Sequence, residues 1–130
     1  MTGKVVRPES VPLYRNADGT QRFRPTHDRT DTAAQGSSGG LYWVAGHSRN
    51  DPDIHPTCDE LYYIVHGQGT IWFGDEAQPL RAGDTVVVPA GTTHHIVNDG
   101  DEDIELFFVF VPPPPSSTGT GVPRGFTLVD

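Results

Sequence analysis

Short apolar segments separated by turn residues follow one another from Leu41 to Val111. Apolar and polar positions alternate within them, as in strands half buried in a sheet, and no stretch shows sustained helical periodicity. The pattern predicts strands at Leu41–Ala45, Glu60–Val65, Thr70–Phe73, Thr85–Val88, His94–Val97 and Ile104–Val111. A spacing of about ten residues per strand is typical of a sandwich or barrel, so we predict an all-β fold.

Turn residues divide these strands. The chain has fifteen glycines and twelve prolines. Turns are predicted at Gly67–Gly69, Gly74–Glu76, Gly83–Asp84, Pro89–Gly91 and Asn98–Gly100, and a polar loop at Gly46–Asp59. Prolines at 112–115 end the last strand, because proline cannot donate to a strand ladder.

The 130 residues suffice for one domain, and no internal repeat indicates a second barrel. We predict a barrel core over residues 40–112. Residues 1–39 form a polar N-terminal arm, with short strands near Val11–Arg15 and Thr20–Arg24. Residues 113–130 form a tail rich in proline, glycine and serine, with a final edge strand at Phe126–Val129.

The charge of the chain excludes some functions. Nine basic against seventeen acidic side chains give a formal net charge of −8, which disfavours binding to nucleic acid phosphates. Beyond residue 30 the cationic side chains are only Arg49, Arg81 and Arg124, so an anionic ligand in the barrel would find few partners. Lys4 is the only lysine, which leaves no plausible carrier for a Schiff base.

The expected compartment is the cytoplasm. Cys58 is the only cysteine, so no disulfide can form within the chain. The N-terminal residues lack the pattern of a signal peptide, and Leu106–Val111 is too short to cross a bilayer.

Two segments carry candidate chemistry. In the first, Asp53 and His55 are two residues apart and Glu60 opens the next strand. In the second, the turn at Pro89–Gly91 precedes His94. Imidazole and carboxylate ligands that converge on one point suit Fe²⁺, Mn²⁺, Zn²⁺, Ni²⁺ or Co²⁺. The pattern predicts a site for one divalent transition metal, held by His55, Glu60 and His94, with Fe²⁺ favoured.

These segments resemble the paired motifs of the cupin superfamily, G-x5-H-x-H-x(3,4)-E-x6-G and G-x5-P-x-G-x2-H-x3-N. The second motif is matched at each fixed position, by Gly83, Pro89, Gly91, His94 and Asn98. The first is matched at its second histidine, its glutamate and its closing glycine, by His55, Glu60 and Gly67. The resemblance implies a single small cupin barrel (a double-stranded β-helix or jelly roll), but not a reaction, since cupins include several classes of enzyme and non-enzymes.

Asp53 departs from the motif, which has a histidine there. If Asp53 points away, two histidines and a carboxylate remain, the ligand set of non-haem Fe(II) oxygenases. If Asp53 also binds, the site gains negative charge and loses an open position. Asp53 could instead bond to metal-bound water, act as a general base, or belong only to the loop.

Other polar residues near the motifs have alternative roles. Tyr62 shares strand parity with Glu60, so its phenol either orients substrate and relays a proton or packs in the core. His47 could replace the missing histidine, and Cys58 could approach the metal or pack in its turn. His66 lies some 20 Å along the strand from Glu60, at about 3.3 Å per residue, too far to share a metal.

The sequence therefore predicts a metal-dependent enzyme acting on a small organic molecule, with dioxygenase or lyase/isomerase chemistry. One alternative is a non-catalytic binding module, such as a sensor or storage protein. Another alternative is an accessory cyclase or decarboxylase in a biosynthetic pathway. The family resemblance also implies a homodimer in which N-terminal residues cover the partner's barrel. No nucleic acid or membrane partner is expected.

Overall fold

The computed structural model describes residues 3–28, 35–114 and 122–129, and these form two antiparallel sheets. A single 3₁₀ turn at Pro8–Ser10 precedes the first strand. The strands are β1 (Tyr14–Arg15), β2 (Gln21–His27), β3 (Ser38–Val44), β4 (Ser48–Arg49), β5 (Asp59–His66), β6 (Gln68–Phe73), β7 (Glu76–Arg81), β8 (Thr85–Val88), β9 (His94–Asn98), β10 (Ile104–Val111) and β11 (Thr127–Leu128).

One sheet has seven strands in the order β11-β1-β2-β3-β10-β5-β8, and the other has four in the order β4-β9-β6-β7. Consecutive strands repeatedly pass from one sheet to the other, as in a jelly roll. This confirms the all-β, cupin-type fold expected from the sequence. It also explains how Glu60 and His94, which belong to different sheets, can meet between them with His55 of the connecting loop.

The core lies between the sheets and follows from strand alternation. In β5 the inward residues Glu60, Tyr62 and Ile64 are buried, while those between them are exposed. Strand β10 has the same period, with Ile104, Leu106 and Phe108 buried. Because successive side chains point to opposite faces, each strand contributes alternate residues to the core.

The sequence failed to predict two strands. Residues 46–59 were expected to form one loop, but Ser48–Arg49 pairs with Asn98 and Val97 as β4. No strand was predicted at Glu76–Arg81, which begins at the end of a predicted turn. In the structure this segment pairs with β6 along its whole length. Strand β7 is an edge strand that buries only Leu80 and contains Pro79, so it lacks the hydrophobic alternation on which the prediction relied.

Residues before the motif region contribute to the large sheet. Strand β2 lies between β1 and β3, and its Phe23 is buried and stacked on Phe108 at 5.6 Å between ring centroids. Strand β11 pairs with β1 at the sheet edge. Strands β1, β2 and β11 therefore extend the large sheet of their own chain.

Asn98, the last motif residue, is buried and holds the loop after β9. Its Nδ2 donates to the backbone oxygens of Val44 at 3.0 Å and Glu102 at 2.8 Å, and its Oδ1 accepts from Gly100 N at 3.1 Å. Asn98 thus joins β9 to β3.

The outer face of the large sheet carries uncharged rows of side chains. Strand register places Val87, Leu61 and Val109 in one row, and Thr85, Tyr63 and Phe107 in the next. Leu61, Tyr63, Val65 and Val87 each leave between 42% and 63% of their surface exposed. Within the described residues, no helix is long and apolar enough to span a membrane.

The homodimer expected from the sequence stays a prediction, and this outer face is a surface suited to it. Copies of a chain with a net charge of −8 repel each other, but an uncharged apolar face can pack on an identical face about a twofold axis. Stable interfaces bury on the order of 800 Å² per partner, which a sheet face of this kind can supply. We expect light scattering to give a dimer at micromolar concentration.

The substitutions Leu61→Ser and Val87→Ser together should shift that mass toward the monomer, since both replace exposed apolar side chains of one row on this face. Leu128→Ser is the matched control, because Leu128 is as exposed but lies on β11, at the opposite end of the sheet from β8. A monomeric unmodified chain would refute the dimer, and a dimer insensitive to the double substitution would refute this face as its interface.

Candidate metal centre

Backbone hydrogen bonds join the two motif segments to each other. Asp53 and His94 form an isolated antiparallel bridge, in which each backbone N donates to the other's oxygen at 2.9 Å. Gly91 N donates to His55 O, also at 2.9 Å. Gly91 has a φ of +81°, which an L side chain rarely adopts, so glycine is needed there. These bonds hold the loop of His55 against the start of β9.

Glu60 enters from the opposite sheet as the second residue of β5. Its inward parity leaves it only 5% exposed. Asp59, its neighbour, points outward, and its Oδ1 accepts a hydrogen bond from Ala90 N at 2.9 Å. The turn of the second motif is therefore also tied to the strand that carries Glu60.

Three ligand atoms converge as the sequence predicts, one each from His55, Glu60 and His94, all within 4.8 Å of one another. Glu60 Oε1 lies 3.0 Å from His94 Nε2 and 3.6 Å from His55 Nε2. Donor atoms about 2.1 Å from one ion lie about 3.0 Å apart in octahedral and about 3.4 Å apart in tetrahedral geometry. The two spacings from Glu60 Oε1 match donors that share a single transition metal ion.

The hydrogen bonds of His94 also fit a metal. Nδ1 lies 3.0 Å from Thr92 O, so Nδ1–H donates to that carbonyl and Nε2 faces Glu60. Metal-binding histidines commonly donate their other ring N–H in this way. With one proton on Nδ1, the lone pair of Nε2 meets a carboxylate oxygen, and such an approach requires a proton or a metal ion between them.

The electrostatics agree with this requirement. Burial lowers the pKa of His94, but hydrogen bonds to Glu60 and Thr92 raise it by more, so the pKa lies above its ordinary value. Burying the Glu60 carboxylate is costly unless a cation compensates it. The raised pKa favours a proton on His94, which can supply that charge without metal, and a divalent ion can replace the proton.

Tyr62 points inward, as its parity predicts, and its hydroxyl donates to Glu60 Oε1 at 3.0 Å. Burial, together with the charge of Glu60, raises the pKa of Tyr62 well above its ordinary value, so the phenol stays protonated. Tyr62 therefore fixes the orientation of the Glu60 carboxylate. Its predicted catalytic role remains a prediction.

Asp53 lies beside the three convergent residues and outside their cluster. Its side chain is 66% exposed, with Oδ2 3.6 Å from His55 Nε2 and Oδ1 accepting from Ile54 N at 2.8 Å. The carboxylate thus approaches the same imidazole as Glu60 does, from the solvent side. Metal ligation by Asp53 and its action as a general base stay predictions.

The other histidines and the cysteine lie outside the cluster. His47 pairs with Asp101 at 2.7 Å and His66 with Glu102 at 3.3 Å. Cys58 is buried, and burial, with Glu60 and Asp59 nearby, raises the pKa of its thiol. A protonated thiol is a poor metal ligand, which favours the packing role for Cys58.

The walls of the cleft beside these residues were not predicted from the sequence. Tyr42 from β3 and Gln21 from β2 line the cleft and hydrogen-bond to each other, with the tyrosine donating. The C-terminal segment adds Arg124 and Phe126. Strand parity could have predicted that Tyr42 faces the cleft. The position of residues 122–126 could not be predicted, because it depends on the pairing of β11 with β1, which consists of two residue pairs.

Comparison with known proteins agrees with this fold and site. Residues 42–110 match the family model described as the cupin domain, which is more than half of the chain. A jelly roll with a His/Glu cluster between its sheets is the arrangement that its motifs imply. The chain belongs to the cupin family.

Its curated relatives are distant. Protein SchB of Streptomyces halstedii is 29% identical over 111 residues, covering 84% of this chain and 78% of SchB. The oxalate-binding protein of Thermotoga maritima is 35% identical over 52 residues, covering 40% of this chain and 43% of that protein. The chain spans only 36% of another relative, the uncharacterized protein YrkC of Bacillus subtilis.

Solved structures confirm the fold. A predicted oxalate decarboxylase from Thermotoga maritima superposes with a TM-score of 0.75 at 22% identity, covering 84% of this chain and 99% of that one. KdgF from a Halomonas species gives 0.70 at 16% identity, covering 84% and 94%. At such low sequence identities the similarity shows that the fold is shared and does not show a shared reaction.

The metal site leads to a direct prediction. Protein purified without an affinity tag should carry close to one transition metal ion per chain, measured by inductively coupled plasma mass spectrometry. His55→Ala with His94→Ala should abolish this occupancy, since both imidazole ligands are lost. The control is His47→Ala with His66→Ala, which removes two histidines outside the cluster. Undiminished metal in the first variant would refute the site.

Asp53→His tests the departure from the family motif. We expect a folded protein that binds metal at least as tightly, because a fourth ligand faces the same point, and whose metal preference or activity changes. The bridge between Asp53 and His94 uses only backbone atoms, so it should survive the substitution. Competition titrations with Fe²⁺, Zn²⁺ and Mn²⁺ measure the effect. If the affinities for the three ions and their order of preference are unchanged, Asp53 does not act on the metal.

Proposed function

We propose that this protein is a metal-dependent enzyme that acts on a small organic molecule at the His55, Glu60 and His94 site. The observation that carries the proposal is the convergence of two imidazoles and a buried carboxylate beside an open cleft. Fe²⁺ is the favoured ion, with Mn²⁺, Zn²⁺, Ni²⁺ or Co²⁺ as alternatives. The reaction is a dioxygenation or a lyase/isomerase reaction.

Three protein ligands leave coordination positions open for substrate. The ion, when bound, polarises substrate oxygen atoms as a Lewis acid, or activates O₂ if it is iron. Around it, Tyr62 holds the Glu60 carboxylate, and the Thr92 carbonyl fixes the tautomer of His94. These contacts pre-organise the ligands, which is what a reactive site requires of its surroundings.

Two groups of the chain can handle protons. The exposed Asp53 carboxylate lies beside His55 and can accept a proton from a substrate in the cleft. Tyr62 lines the same cleft, and its phenol oxygen can accept a hydrogen bond from a substrate hydroxyl while its proton is donated to Glu60. In this proposal Asp53 is the base and Tyr62 the orienting group.

The alternative is a binding cupin without catalysis. It is favoured by the relative that is an oxalate-binding protein, 35% identical over 52 residues. Such a module needs a metal and a cleft but no base. Asp53 then has no role in turnover, which separates the two proposals.

The experiment loads the chain with Fe²⁺ and follows O₂ consumption with pentane-2,4-dione, catechol and cysteine, and follows the first two by ¹H NMR without O₂. We expect turnover of at least one probe, lost in the variant without His55 and His94 and reduced on the order of 10²-fold or more by Asp53→Asn, as for loss of a general base. Full metal loading with ligand binding but no turnover would favour the binding module. Equal turnover by the variant without His55 and His94 would refute a metal-dependent reaction.

A further inference from the structure

The cleft beside the metal cluster is much larger than a small dicarboxylate. It has a volume of about 830 Å³ and extends from His55, Glu60 and His94 to the C-terminal segment at Arg124 and Phe126. Pockets of about 300–1,000 Å³ hold molecules of drug size. Oxalate, with six non-hydrogen atoms, would leave most of this space to water.

A row of aromatic rings connects the cluster to the far wall. Phe110 contacts the His55 ring at 4.6 Å between centroids, and Phe108 lies 5.5 Å from Phe110. Tyr42 lies 6.4 Å from Phe108 and 6.1 Å from Phe126. All of them line the cleft. A wall of neighbouring rings favours flat, apolar ligands that can stack or pack edge to face.

The charges of the cleft oppose an anionic ligand. Among the described residues that line it, Asp18, Asp51, Asp53 and Glu60 are acidic, and Arg124 is the one arginine or lysine. Arg124 is exposed and belongs to the C-terminal segment of the cleft wall. A dianion at the metal would gain from the ion but be repelled by the Asp53 carboxylate.

The pKa of Tyr42 reflects the negative charges of the cleft. Burial raises its pKa well above its ordinary value, and the charges of Glu60, Asp53 and Asp51 add to the rise. Its hydroxyl is neutral and donates to Gln21. The middle of the cleft thus offers neutral polar groups between aromatic rings.

We infer that the cleft binds an uncharged, flat molecule of two or more rings, with a hydroxyl and a carbonyl oxygen close enough together to bind one metal ion, and not a small dicarboxylate. This inference rests on the proposed function, since it names the substrate class of the same site. The rings lie along the aromatic row, and the oxygen pair faces His55, Glu60 and His94.

The test measures binding and not turnover. Isothermal titration calorimetry compares three probes on metal-free and on Zn²⁺-loaded protein, since Zn²⁺ has no redox chemistry. The probes are 5-hydroxyflavone, 2-hydroxyacetophenone and oxalate. The first two share a hydroxyl–carbonyl pair, but only the first has three rings. We expect 5-hydroxyflavone to bind about tenfold or more tightly than 2-hydroxyacetophenone in both states, and oxalate to bind most weakly.

Paired variants locate the rings. Phe110→Leu with Phe126→Leu should weaken 5-hydroxyflavone binding by about tenfold in metal-free protein, while 2-hydroxyacetophenone changes less. Phe107→Leu is the control, because Phe107 lies on the outer face of the same strand as Phe110.

The outcomes separate this inference from the proposed function. Protein that binds 5-hydroxyflavone as expected but takes up no metal would refute the metal-dependent enzyme and keep the ligand class. Protein that loads metal and turns over a small probe, but prefers oxalate or binds 5-hydroxyflavone equally in the Phe110/Phe126 variant, would refute the ligand class alone.

Discussion

The two backbone hydrogen bonds between Asp53 and His94 are the constraint on which the site depends. His55 belongs to no strand, so sheet pairing alone does not fix its position. The bridge at Asp53, with the bond from Gly91 to the oxygen of His55, places this loop against β9. Glu60 comes from the other sheet, and the bond from Ala90 to Asp59 aligns its strand with the same turn. The metal cluster is thus assembled by main-chain contacts.

Charge is the second constraint. A buried glutamate and two histidines are unstable together unless a cation lies among them. His94 can hold a proton there, and Tyr62 satisfies the same carboxylate oxygen with a neutral donor. The surrounding hydrogen bonds therefore support two states of the site, one with a proton and one with a metal ion. Binding of metal should release protons, as is usual when histidines become ligands.

The sequence predicted the features that depend on local pattern. Strands β8 and β10 were predicted with the bounds they have, and the inward parity of Glu60 and Tyr62 was correct. Strand β7 escaped prediction because an edge strand with one buried residue has no hydrophobic period. The cleft walls were not predicted because Gln21, Tyr42 and Phe126 are brought together by the order of strands in the sheet and not by their spacing along the chain. Long-range pairing is the information that a single sequence does not display.

The same pairing has a consequence for how such barrels can diversify. The C-terminal wall is attached through the pairing of β11 with β1, a hydrogen bond from Val129 N to Leu13 O, and the packing of Val122 and Phe126 against the core. The metal ligands are held by other strands. Mutation, lengthening or recombination of the C-terminal segment can therefore remodel the far side of the cleft while the barrel and its ligands persist. The shape of the cleft can thus change independently of the His55, Glu60 and His94 cluster.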